Sequence, residues 1–290
     1  MKLYLEIPRN FHFNRTVNSH GWRSLAPFKY DETSGNLSYV FGGEDLKNPV
    51  AAVIGEEDEK LKIEISGDKI SSKAQAKILH SVRHILRFDD DLNGFYRLVK
   101  KEKEFVWIAK QNAGRLLRSP TVFEDLVKTI ATTNCSWALT KNMVNNLAAK
   151  LGEASKDGRH AFPTAEKMAE MPPAFYRDEI RAGYRSAYFA ELAEKVASGK
   201  LNPEQWLDTD LPTRELKKQM KQAKGVGDYA AENLLKLVGR YDGLALDSML
   251  RGRFYKQRNA KTVCADKEIE NFYARFNEWK GLAIWCDMSK

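Results

Sequence analysis

The stretch KGVGDYAAENLLKLVGRYDGLALD runs from Lys224 to Asp247 and joins two groups that can do chemistry. The first is the turn Gly225-Val226-Gly227. Glycines there allow positive φ and let the backbone approach another molecule closely. Amides exposed at a helix start bind anions, and Lys217, Lys218, Lys221 and Lys224 crowd the same end. A phosphate is the natural occupant, and backbone donors read no sequence. The second group is the carboxylate of Asp247, which follows the apolar Leu244-Ala245-Leu246 and precedes the helix-like SMLRGRFYKQ. Each feature alone has a plain structural reading. The turn is then an ordinary connection between helices with solvating lysines, and Asp247 is a favoured N-cap.

The elements that must position these groups are mostly helical. TRELKKQMKQAKGVGDYAAENLLKLVGR reads as helix, tight turn, helix, with Leu216 and Met220 on one side and Ala230, Leu234, Leu237 and Val238 continuing after the turn. Helices are expected over roughly 121–133, 136–151, 164–170, 184–198, 213–223, 228–239, 248–258 and 266–279, punctuated by Pro163, Pro172-Pro173, Pro203 and Pro212. Roughly the first 70 residues read differently. Leu3, Leu5 and Ile7 alternate with polar neighbours, and NLSYVF (36–41), VAAVIG (50–55) and LKIEIS (61–66) follow between short turns. Short connections imply an antiparallel sheet. Segment 11–22 fits a helix or a loop. At Ser71-Ser72 the period changes, and Ile78, Val82, Ile85 and Leu86 fall on one helical face. The class is α+β: an N-terminal antiparallel β-sheet domain over 1–110, then a mostly α-helical domain over 111–290 that contains the helix-hairpin-helix.

Composition narrows the partners. Of 290 residues, 47 are Lys or Arg against 39 Asp or Glu, a net charge of +8, which favours a polyanion, nucleic acid before an anionic membrane. Cys135, Cys264 and Cys286 form no C-x-x-C and are too few for a four-thiolate cluster, so they read as free thiols in a reducing compartment. The N-terminus has no apolar h-region, and no run approaches the ~18 apolar residues of a membrane span, so a soluble intracellular protein is expected. His80 and His84 enclose Ser81-Val82-Arg83 and lack a third ligand, and Asp89-Asp90-Asp91 reads as a capped, solvated helix junction. No metal or cofactor is expected.

The glycine hairpin and Asp247, at this separation, resemble the helix-hairpin-helix DNA glycosylases. GRLLRSPTVFEDLVKTIATTNCSWALTKNMVNNLAAKLG (114–152), AGYRSAYFAELA (182–193) and VRHILRFDDDLNGFYRLV (82–99) are similar to the branch holding the 8-oxoguanine and the inducible bacterial 3-methyladenine glycosylases. The resemblance covers nearly the whole chain. It implies a monomer acting on double-stranded DNA that contains a damaged base. Lys224, Gly225, Val226 and Gly227 would grip the backbone, Asn134 would fill the gap left by the extruded base, Tyr184 would wedge into the duplex, and Arg185 would face the widowed base. Asp247 would stabilise an oxocarbenium-like transition state and assist water. Trp285 would complete the base pocket, and Trp137, just after Asn134, is a lesser candidate for a place near the DNA, against core packing. Bifunctional relatives carry a Schiff-base lysine where this chain has Tyr229, so the resemblance implies a monofunctional enzyme with Tyr229 in the pocket wall. Leu139 and Met249 replace an Arg and a His of the 8-oxoguanine enzymes. Two other readings stay open: a non-catalytic binder of distorted DNA with Asp247 only an N-cap, and a glycosylase/lyase using a lysine from elsewhere.

Overall fold

The alternating N-terminal run becomes β1 (Lys2–Glu6), and β2 (Lys29–Tyr30), β3 (Leu37–Phe41), β4 (Val50–Glu57) and β5 (Lys60–Ile65) follow. The computed structural model describes residues 1–43, 46–67 and 69–289. The sheet order is β1-β5-β4-β3-β2 with every neighbouring pair antiparallel. Leu3 lies opposite Ile63, Ile63 opposite Ile54 and Ile54 opposite Leu37, so one register row carries apolar side chains across four strands. Segment 11–22 forms α1 (Phe13–Val17) and leads into a 3-10 turn at Gly21–Ser24. α2 (Ser72–Ile85) starts where Ser71 Oγ accepts from Ala74 N at 3.1 Å, and it buries Ile78, Val82 and Ile85.

The remaining helices are α3 (Asn93–Val99), α4 (Val106–Lys110), α5 (Val122–Thr132), α6 (Trp137–Leu151), α7 (Ala165–Ala169), α8 (Pro173–Asp178), α9 (Ser186–Ala197), α10 (Thr213–Met220), α11 (Asp228–Leu237), α12 (Ser248–Arg258), α13 (Asp266–Tyr273) and α14 (Lys280–Met288). Four of them, α3, α4, α8 and α14, were not among the expected helices. Three are a turn or two long, too short for a period to emerge. The fourth, α14, is buried on nearly every side, so no polar face marks it. The helix expected to 279 ends at Tyr273 and continues as a 3-10 turn interrupted by Asn277 at φ 50°.

Two apolar clusters form the core. One joins the sheet with α2, α5, α6, α9, α10 and α11. The other joins residues of 92–116 with residues of 241–288, so α3 and α4 pack against the C-terminal helices. The middle helix α5 is buried from Val122 to Ala131 although it carries Glu124, Asp125 and Lys128. Their charges are answered locally. Lys128 Nζ lies 2.6 Å from Glu124 Oε1, and Tyr39 donates to Glu124 Oε2 at 2.6 Å. Trp22 Nε1 donates to Asp125 Oδ1 at 2.7 Å. Asp89 and Asp91 are exposed as expected, but Asp90 is not a solvated junction residue: it pairs at 2.6 Å with Arg87, which is 1 % exposed.

Candidate active site

A cavity of about 640 Å³ opens between the segment 18–22, the ends of α5 and α6, α11, the start of α12, and α14. Asp247, Tyr229 and Trp285 all line it. Asp247 is the N-cap of α12, and its Oδ1 accepts from Leu250 N at 2.7 Å. Its other oxygen, Oδ2, accepts from the Tyr229 hydroxyl at 3.2 Å. Burial, then the Asp247 charge, push the Tyr229 phenol up to about 12, so it is a neutral donor. Helix α11 holds the loop that delivers Asp247. Tyr229 reaches Asp247, Glu232 Oε2 accepts from Ala245 N at 2.6 Å, and Lys236 Nζ donates to Leu244 O at 2.8 Å. The helix between the glycine turn and the acid is therefore the scaffold of the acid.

Deeper in the cavity Lys236 is 2 % exposed, and its Nζ lies 5.7 Å from the centre of the Trp285 ring. Burial lowers its ammonium to about 7, with Glu232 and Asp247 opposing the shift. Trp285 is held in turn by its Nε1, which donates to Ser19 O at 3.0 Å. His20 Nε2 lies 2.6 Å from Leu117 O, and its Nδ1 accepts from Trp22 N at 3.4 Å, which assigns the neutral Nε2–H tautomer. Burial lowers His20 to about 4, so the ring stays uncharged.

Outside the cavity the hairpin lies between α10 and α11. Gly225 needs its glycine: φ is +89°, and a Cβ would sit 2.8 Å from Tyr188 Cδ2. Gly227 does not share that need, since φ is −83° and a Cβ would meet nothing within 4 Å. It opens α11 without any side-chain cap, which leaves the first amides of that helix to another partner. Val226 is buried, and Lys224 is exposed and pairs with Glu191 at 2.5 Å. Nearby, Lys217 pairs with Glu232 at 2.7 Å and Lys221 with Asp228 at 3.0 Å.

The loop between α5 and α6 holds Asn134, exposed and at φ +46°. Tyr184 is 54 % exposed, stacks edge-on against Tyr188, and donates to Thr133 O at 3.4 Å. Tyr188 also flanks Gly225, so wedge and hairpin share one surface. Arg185 is placed otherwise than its expected role needs. It is 3 % exposed, bonds the carbonyl and hydroxyl of Thr133, and lies under the Tyr184 ring at 4.5 Å. Facing a widowed base would require it to leave these partners. Eight large apolar side chains are exposed among the described residues; five of them, Trp137, Leu139, Tyr184, Tyr229 and Met249, belong to the cavity or to the segments carrying Asn134 and Tyr184. Such clustering marks a contact surface.

No family model matches the chain. It is 25% identical over 203 residues to an N-glycosylase/DNA lyase of Saccharomyces cerevisiae, a match spanning 65% of this chain and 53% of that protein. It is 22% identical over 215 residues to a DNA-3-methyladenine glycosylase of Bacillus subtilis, spanning 72% of this chain and 70% of that protein. The match thus spans about half the length of the yeast relative. The 8-oxoguanine glycosylase/lyase of Clostridium acetobutylicum in its apo form superposes over 100% of this chain and 96% of its own, with TM-score 0.76 and 18% identity. That enzyme is also solved with double-stranded DNA containing cytosine opposite 8-oxoG, at TM-score 0.72. The chain has the fold of that glycosylase/lyase.

On that fold several cavity residues were not among the expected site residues. His20 and Trp22 come from the segment that fitted helix or loop. Thr129 and Cys135 come from α5 and its exit, and Arg253 from α12. One signal was readable: Tyr229, Asn233 and Lys236 fall at i, i+4 and i+7, one polar stripe on a helix that buries Ala230, Ala231, Leu234, Leu235 and Leu237. Among the described residues no group of three or more His, Cys, Asp or Glu could hold a metal ion, and no helix is long and apolar enough to cross a membrane.

Proposed function

We propose that this chain is a monofunctional DNA glycosylase, working as a monomer on double-stranded DNA that contains a damaged base. The base turns out of the duplex into the cavity, and Asn134 and Tyr184 occupy the gap. The first amides of α11, with Gly225, Val226, Gly227 and Lys224, hold a phosphate. The bond from C1′ to the base breaks with positive charge growing on the sugar. Asp247 stabilises that charge and takes a proton from the attacking water. The observation that carries this reading is the two-sided binding of Asp247. One oxygen serves the fold as an N-cap, and the other is turned to Tyr229 in a cavity of about 640 Å³. A mere N-cap needs no such cavity. Tyr229 cannot form a Schiff base, so water is the nucleophile and the product is an intact strand with an abasic site. One chain carries hairpin, wedge and cavity, so a second copy has nothing to add.

The test is Asp247→Asn. The amide oxygen still accepts from Leu250 N, so the variant folds and binds lesion duplex as before. Base release in a single turnover falls by about 100-fold or more. Strand scission at neutral pH lags base release in the wild type. Unchanged release by the folded variant would make Asp247 only a cap, and scission in step with release would return the chain to the lyases.

A further inference from the structure

The inner end of the cavity holds polar groups that the reaction above leaves without a task. Lys236 follows Tyr229 by seven positions on α11, which places its Cα about 10 Å further along the helix. Exposure falls the same way, from 37 % at Tyr229 to 2 % at Lys236. Asp247 and Tyr229 thus stand at the mouth, where the sugar would be, and Lys236 stands where the base would be. An ammonium has three donors, and Leu244 O takes one of them. Thr129, 1 % exposed, lines the same cavity, and its hydroxyl has no hydrogen-bond partner among the described residues. A buried hydroxyl left unpaired is costly, and a ligand that pairs it removes the cost.

We propose that Lys236 and Thr129 read the extruded base, and that they select an uncharged base bearing a carbonyl oxygen over a cationic N-alkylated base. The inference rests on the glycosylase reading and narrows its substrate. One aromatic wall of the cavity, Trp285, is already faced by a cation, since the ammonium of Lys236 lies 5.7 Å from its ring centre. Arg253, which bonds Met288 O, adds a second positive charge to the wall. The acids around Lys236 are engaged: Glu232 with Lys217 and Ala245 N, Asp247 with Tyr229 and Leu250 N. A base that arrives with a positive charge meets like charges at the inner end of the cavity, while the carboxylate of Asp247 stands at the mouth with the sugar.

The chemistry of departure points the same way. When the C1′–N bond breaks, its electron pair goes to the base. A cationic base leaves as a neutral molecule and needs no help. An oxo base leaves as an anion with charge on its carbonyl oxygen, where a donor from Lys236 stabilises it. Water then adds to C1′ and gives its proton to Asp247. The ammonium of Lys236 is lowered to about 7, so its proton is readily shared with that oxygen. In this reading the amine serves the base and not C1′, which separates its role from that of a Schiff-base lysine.

The experiment compares single-turnover release of 8-oxoguanine and hypoxanthine with release of 7-methylguanine from otherwise identical duplexes. Wild type should favour the oxo bases. Lys236→Gln keeps a donor for Leu244 O and loses the charge, and the oxo-to-alkyl rate ratio should fall by about 100-fold. Thr129→Val removes only an unpaired hydroxyl, so it should fold at least as well as wild type while lowering the same ratio by about tenfold. Preference of the wild type for 7-methylguanine, or equal losses on both classes in both variants, would overturn the inference and leave the glycosylase reading standing. So would borohydride trapping that Lys236→Gln abolishes, because the amine would then be the nucleophile. Release of no base from any duplex would overturn both.

Discussion

A lysine brought down to about 7 by burial leaves a signature independent of any substrate. In the unfolded chain Lys236 keeps its proton up to its ordinary value of 10.5, whereas in the folded chain it gives it up near 7. Between those values the unfolded state binds more protons, so stability contributed by this site rises with pH. Below about 7 both states are protonated and the slope vanishes. The thermal midpoint of wild type minus that of Lys236→Gln should therefore increase from pH 7 to pH 9.5 and stay flat below. Oxo-base release should move oppositely, falling as pH climbs through about 7, because the deprotonated amine no longer stabilises the departing anion. Parallel melting curves across that window would mean that the amine is hydrated and keeps its ordinary proton affinity.

At the scale of elements, α11 decides the geometry of the site, and it is pinned at its C-terminus. Arg87 donates to Lys236 O and Leu237 O at 3.2 and 2.9 Å, and Arg118 donates to Leu237 O at 3.2 Å, satisfying carbonyls at its C-terminus. Its N-terminus carries the two glycines, and they should respond differently to alanine. Gly225→Ala places a methyl group against Tyr188 in left-handed backbone and should lower stability, by about 1 kcal/mol or more, along with all DNA binding. Gly227→Ala meets no neighbour and should leave the melt unchanged while weakening lesion and undamaged duplex by similar factors. Loss confined to lesion DNA would assign the turn to the base cavity. Much of this architecture was legible beforehand. Four strands and nine helices followed from period and punctuation, the hairpin turn from its glycines, and Asp247 as a candidate site residue from the family resemblance. What was not legible depends on contacts distant in sequence: Arg87 lying 149 positions from Lys236, Trp285 reaching Ser19 across 266, Arg185 turned inward to Thr133. A helix buried on every side, such as α14, shows no polar face to read.

Over the whole molecule the net charge of +8 suits a polyanion, yet the hairpin does not present bare lysines. Lys224 is held by Glu191, Lys217 by Glu232 and Lys221 by Asp228. An exposed ion pair contributes little to folding, so exchanging Glu191 for a phosphate changes the fold hardly at all. What it would change is affinity: in the proposed complex, DNA displaces a carboxylate before Lys224 neutralises a phosphate. Two substitutions separate these effects. Lys224→Ala should weaken binding to lesion and undamaged duplex alike and lower the slope of log K against log salt by about 1, the share of one phosphate contact. Glu191→Gln should do the reverse in affinity, tightening both duplexes at low salt, because Lys224 is then free before the DNA arrives. The double substitution should match Lys224→Ala where Glu191 acts through that lysine alone, and a tighter-binding double would assign the remainder to Lys195, which Glu191 also pairs at 2.7 Å. Binding isotherms at several salt concentrations read all three. If Glu191→Gln leaves them unmoved while Lys224→Ala weakens binding, the pair opens at no cost on contact with DNA. If neither changes them, the phosphate is held by the amides of α11 alone.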